Sequence, residues 1–128
     1  MIVIVDGVRT AMGGFQGSLS SCTAPERGAV TIKEVLNRSG LQPTDVDEVI
    51  FGCVLPAGLI EGPARLAMRM AGLPDSTGAT TINKICGSGM KAVMQAADAI
   101  KAGSAEIVVA GGMESMSNAP YLLEKARA

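Results

Sequence analysis

The sequence predicts an α/β fold, a mainly parallel sheet with helices on both faces. Two observations carry this. Short apolar runs rich in β-branched residues recur at Ile2–Val5, Val49–Val54, Ala79–Ile85 and Ile107–Ala110. Between them lie stretches with helical periodicity that glycine closes, and strands alternating with helices build a parallel layer through crossover connections. Residues 1–128 read as one domain, with no internal repeat, low-complexity tract or interdomain linker.

Taken in order, Ile2–Val5 is a continuous apolar run of the kind a buried parallel strand needs, and it feeds a glycine-rich loop from Gly7 to Gly17. A helix follows from Pro25 to Arg38: Pro25 suits its first position, Ala29, Ile32, Val35 and Leu36 share a face, and Gly40 ends it. Val49–Val54 is the second strand. A short helix then starts near Pro63 and stops near Gly72. Ala79–Ile85 is the third strand and runs straight into a helix from Cys86 to Ala102. There Met90, Val93, Met94, Ala97 and Ile100 trace the apolar stripe, while Lys91, Gln95, Asp98 and Lys101 face away. Ile107–Ala110 is the fourth strand, left through Gly111 and Gly112.

Composition excludes several classes of function. Eleven basic and twelve acidic residues give a net charge of −1, scattered along the chain, so nothing steers it to nucleic acid or an anionic membrane. The hydrophobic fraction is 48%, yet there is no Trp, one Tyr and two Phe, so the core must be aliphatic, with eight Met as adaptable filler. Cys22, Cys53 and Cys86 are an odd number at wide spacing, which argues against a disulfide framework and a zinc knuckle and points to a reducing cytoplasm. Ile2–Val5 is cut off by Asp6, too short for a secretory signal, and no apolar run approaches a membrane span. A dinucleotide fingerprint ending at Gly14 and Gly17 would need glycine where Met12 stands, and no phosphate-binding loop is present. With no histidine, the chain holds no Cys/His pair and no histidine metal ligand.

Cys86 is the candidate nucleophile. It stands where a strand pattern meets a helix, and the unpaired amides and partial positive charge of a helix N-terminus stabilise a thiolate, so its pKa is expected below the ~8.5 of a free cysteine. Gly87 and Gly89 leave room for an acyl group beside the backbone, whose amides can hold an oxyanion. Taken alone, a buried structural thiol fits the same position. Cys22, in a serine-rich loop, and Cys53, in a strand-like run, read as bystanders. Glu114 reads as a loop brace rather than a base, Asn83 and Ser88 as scaffold, and Arg65 and Lys91 as helix-face residues.

The residues around Cys86 decide between the two readings. Asn83-Lys84-Ile85-Cys86-Gly87-Ser88-Gly89-Met90-Lys91-Ala92-Val93 closely resembles the acylated-cysteine motif of thiolases, and Ala110-Gly111-Gly112-Met113-Glu114-Ser115-Met116-Ser117-Asn118-Ala119-Pro120 resembles a second segment of that family. Further similarity lies in Val8–Thr10, Gly17–Ser20, Asp45–Phe51 and Pro63–Arg65, so the resemblance covers nearly the whole chain. The sequence departs from the family at Ala11-Met12-Gly13, where a proline turn is usual, and at Leu55–Gly62, where Gln and Asn are usual.

The resemblance implies a thiolase-like N-terminal half in which Cys86 takes an acyl group from one coenzyme A thioester and passes it to the carbanion of a second. The motif is nearest the biosynthetic, acetoacetyl-CoA type, which condenses two acetyl-CoA into acetoacetyl-CoA and runs the reverse thiolysis. The Cys86 amide is then an oxyanion donor, coenzyme A thioesters are substrates rather than bound cofactors, no metal is used, and a homo-oligomer is expected. The family's inserted loop domain, last strand, C-terminal half, histidine base and second cysteine have no counterpart here, so this chain alone is expected to be inactive and to self-associate through an uncovered sheet face and edge. Two alternatives stand beside this reading, a 3-ketoacyl-CoA thiolase of fatty-acid degradation and a non-catalytic assembly module.

Overall fold

The computed structural model describes residues 1–127. Its regular elements are α1 (Ala24–Ser39), β1 (Glu48–Gly52), α2 (Pro63–Met70), β2 (Gly78–Ile82), α3 (Ser88–Lys101) and β3 (Val108–Gly112), with 3-10 turns at Pro43–Asp45 and Met116–Asn118. The three strands form one parallel sheet in the order β2-β1-β3. In register, Gly52 faces Ile82 on one side and Gly112 on the other, so the carboxyl ends of all three strands lie together.

Alternation along β1 divides the core between two layers. Val49 and Phe51 point to the face covered by α1 and α2, packing with Ile32, Leu36, Ala64, Ala67 and Met68. Ile50 points to the other face, where it meets Ala92 and Ala96 of α3 together with Ile82, Val108 and Ala110. Helices therefore cover both faces, and β1, central in the sheet, is buried almost throughout. α1 enters through a complete capping box: the Thr23 N–H donates to the Glu26 carboxylate at 2.7 Å, and the Glu26 N–H donates to the Thr23 hydroxyl at 3.4 Å. It ends on Gly40, whose φ of 72° is the left-handed cap glycine supplies without strain. At the other end of the sheet, the Asp47 carboxylate accepts from the Glu106 and Ile107 amides, which hold its pKa below the usual carboxylate range.

Three sequence expectations are corrected. Ile2–Val5 is not a strand: it joins no ladder, and Val3, Ile4 and Val5 are exposed. An apolar run becomes a strand only beside a partner, and among the described residues the sheet ends at β2 and β3 without one for it. The last strand runs on through Gly111 and Gly112, which pair with Phe51 and Gly52 of β1; Gly111 lies under the Phe51 ring, where a Cβ would stand 3.3 Å from two ring carbons.

The third correction is the face of α3. It packs on the sheet through Ser88, Ala92 and Ala96, while Met90, Val93 and Met94 of the predicted stripe are exposed, Met90 by 75%. The small residues, spaced four apart, let the helix axis come close to the strands. The helix thus has an apolar outer side as well as its sheet-facing one. Among the described residues no helix is long and apolar enough to cross a membrane.

Candidate active site

Cys86 sits at the carboxyl end of the sheet, in the turn from β2 to α3, exposed and outside any disulfide. The helix starts two residues later than expected. Gly87 is its N-cap, and the Gly87 and Ser88 amides close tight turns onto the Lys84 and Ile85 carbonyls at 3.0 and 3.1 Å. The first helical hydrogen bond runs from the Lys91 N–H to the Gly87 carbonyl, so Cys86 stands just before the helix rather than opening it. Gly89 and Met90, in the first helical turn, donate to no backbone carbonyl, which leaves amide donors one turn from the thiol.

Side chains past the ends of β2 and β3, with one at the start of α3, brace this turn and the loop beside it. Glu114, two residues past β3, accepts from the Val54 and Leu55 amides, each at 2.9 Å, and from the Cys53 thiol at 3.7 Å. Asn83, just past β2, donates through Nδ2 to the Val54 carbonyl at 3.5 Å, and its Oδ1 accepts from the Ile85 amide at 3.0 Å. Ser88 Oγ accepts from the Lys84 amide at 2.8 Å and donates to the Ile85 carbonyl at 2.6 Å. Glu114 is thus a brace, and Asn83 and Ser88 are scaffold, as their sequence positions suggest.

The segment after Glu114 holds the loop before α1. Asn118 Nδ2 donates to the Ser20 and Cys22 carbonyls, Ser115 Oγ donates to the Cys22 carbonyl at 3.2 Å, and the Ser117 hydroxyl accepts from the Gln16 amide at 2.8 Å. The Arg27 guanidinium adds donors to the Glu114 and Leu19 carbonyls. Cys22 enters this network through its backbone, not its thiol. Arg65 spans the Asp75 carboxylate at 3.8 Å and the Asp75 and Thr77 carbonyls, which leaves it on structural work; Lys91 lies half-buried on α3. The concave surfaces beside α1, lined by residues such as Glu26, Val30, Lys33 and Met70, do not include Cys86. Among the described residues no cluster of His, Cys, Asp and Glu could hold a metal ion.

Cys53 is the buried thiol of the three, 1% exposed. Burial first, and then the charge of Glu114 and the hydrogen bond to it, push its pKa up from 9.0 to about 11. The unfolded chain ionises near the lower value and the folded one near the higher, so between them the unfolded state binds fewer protons. The stabilisation is complete below about pH 9 and is lost as pH rises to about 11. Urea midpoints followed across that window fall more steeply in the wild type than in Cys53→Ala; parallel slopes would show that Cys53 ionises alike in both states.

Two features of the site were not legible beforehand. Ile85 has a φ of 49°, left-handed, although a β-branched residue argues against that region. Gly52 is a close-approach position: a Cβ there would stand 2.5 Å from the Ser88 Cβ. A glycine inside a strand is the signal that could have marked it.

Comparison with known proteins places this geometry. The family model for the thiolase N-terminal domain matches residues 2–128. The chain is 59% identical over 126 residues to an acetyl-CoA acetyltransferase of Cupriavidus necator and 54% identical to one of Escherichia coli, each alignment covering 98% of this chain and 32% of the relative. A crystal structure of an Ascaris suum thiolase in complex with coenzyme A superposes with a TM-score of 0.92 at 42% identity, covering 94% of this chain and 32% of that one. The chain therefore spans about a third of the length of the relatives it matches.

Proposed function

The chain belongs to the thiolase family, and on that premise we propose that it carries the nucleophile of an acetyl-CoA acetyltransferase, with the Cys86 sulfur the atom that becomes acylated. In the protein this segment serves, the thiolate attacks the thioester carbonyl of acetyl-CoA, and coenzyme A leaves as its thiolate and takes up the proton that Cys86 gave to the base. The acetyl group stays on Cys86 until the carbanion of a second acetyl-CoA attacks it, releasing the Cys86 thiolate and giving acetoacetyl-CoA. Covalent catalysis divides one difficult condensation into two easier steps. The single observation that carries the reading is the exposed Cys86 in a braced turn at the carboxyl ends of parallel strands, the place where α/β sheets bind ligands. Identities of 54–59% to acetyl-CoA acetyltransferases favour the two-carbon substrate over longer ketoacyl chains. The amides of Cys86 and the first turn of α3 supply the oxyanion donors, and coenzyme A enters as substrate, with no metal.

The chain contains no histidine, so the proton transfers that generate the thiolate and the carbanion need a base from outside these residues, and with it the roughly 10²–10⁴-fold that positioned acid–base groups contribute. This favours acylation without turnover for the segment on its own. A cytoplasmic homo-oligomer fits the three free cysteines and the exposed apolar side of α3.

Intact-mass analysis after incubation with acetyl-CoA, with peptide mapping, tests the proposal. One acetyl group on the peptide holding Cys86 is expected. An acetyl group on Cys22 or Cys53 instead, or none even when the remaining two-thirds of a thiolase is supplied, would overturn it.

A further inference from the structure

Ile85, the residue before Cys86, combines features that ordinarily exclude one another. It is β-branched, left-handed at φ 49°, and 65% exposed. Burial does not hold it there, and such a conformation persists only where its surroundings impose it. Those surroundings begin with the two hydrogen bonds of Ser88: the hydroxyl accepts from the Lys84 amide and donates to the Ile85 carbonyl, so the peptide plane that follows Ile85 and the one that precedes Lys84 are tied to one side chain. Ser88 is 6% exposed and wedged against Gly52 of the central strand, which fixes the clamp to the sheet. Asn83 adds a third restraint through the Ile85 amide.

We infer that Ser88 is a positioning residue for the nucleophile: its hydroxyl holds Ile85 left-handed, and that conformation turns the chain so that the Cys86 thiol projects from the end of the sheet toward the acyl donor. The inference deepens the acyl-transfer reading and rests on it for the function, but not for the geometry. Alignment of the attacking atom is what such a device supplies, and small misplacements are costly in rate.

The test uses this chain and the variants Ser88→Ala, Ile85→Gly and the pair. NMR reports the geometry, because a residue with positive φ gives a strong intraresidue amide–Hα contact. That signal at residue 85 is expected to be strong in the wild type and lost in Ser88→Ala. Acetyl transfer from acetyl-CoA to Cys86 is expected to slow about 10- to 100-fold in Ser88→Ala, while alkylation of the exposed thiol by iodoacetamide changes little. Ile85→Gly in the Ser88→Ala background should recover much of the lost transfer, since glycine adopts positive φ without strain. A retained amide–Hα signal in Ser88→Ala, or a transfer rate equal to wild type, overturns the inference; so does a loss that Ile85→Gly leaves untouched, which would mark Ser88 as merely structural. If the wild-type chain takes no acetyl group, the acyl-transfer reading fails for this segment, and the NMR arm still decides whether Ser88 holds Ile85.

Discussion

Cys86→Ala removes the acetyl adduct, with a fall in yield of at least about a hundredfold, because the other two thiols are poorly placed to replace it. Cys53 is 1% exposed, and its thiol donates to a carboxylate that opposes its ionisation. Cys22 is partly buried in a loop whose backbone is pinned by Ser115 and Asn118. Only Cys86 combines exposure with free amide donors in the adjacent helical turn. Cys86→Ser isolates the chemistry from the shape: the hydroxyl fits the same turn but ionises far less readily, so the fold should persist while the adduct disappears. Unchanged melting of both variants, with mass spectrometry showing no acetyl group, is the expected pair of results. An adduct of wild-type yield on Cys86→Ala would move the nucleophile elsewhere.

The parts of the molecule legible in the sequence are those set by strong local rules. Pro25 announces the start of α1 and Gly40 its end, and both act as their residue types dictate. The run around Val49–Phe51 is apolar on both alternating faces, and it becomes the strand buried on both sides. The candidate site was read from the motif around Cys86 more than from pattern, since a lone cysteine before a helix fits two readings. What stayed hidden depends on partners. Ile2–Val5 reads as a strand because hydropathy registers the run but not the neighbour it lacks. The α3 stripe misleads because alanine and serine count for little in a hydrophobic pattern, yet their small size is what permits the closest packing on a sheet. Large side chains on the same helix then read as core although they face outward.

Gly52→Ala should be among the most destabilising single-methyl additions in the chain, and it should damage the site along with the fold. A Cβ at residue 52 would lie 2.5 Å from the Ser88 Cβ, 3.0 Å from its carbonyl carbon and 3.3 Å from the Gly89 nitrogen. Two of these atoms are backbone and the third is fixed to it, so no flexible side chain can swing aside. The strand cannot retreat either, because β1 is bonded to β2 on one side and to β3 on the other. Relief must come from lifting the start of α3, which strips packing from Ala92 and Ala96 and pulls Ser88 away from the turn that carries Cys86. Overpacking of this kind costs typically 1–3 kcal/mol, and the backbone clash argues for about 3, a fall of roughly 10 °C in Tm for a domain of this size. Gly14→Ala is the control: nothing lies within 4 Å of its Cβ position, so it should melt with the wild type. Because the displaced residue is Ser88, Gly52→Ala should also slow acetyl transfer to Cys86 at temperatures where the variant is still fully folded. Calorimetry and the acetylation rate together read both effects, and a Gly52→Ala chain that melts and reacts like the wild type would show that α3 does not depend on this contact for its place on the sheet.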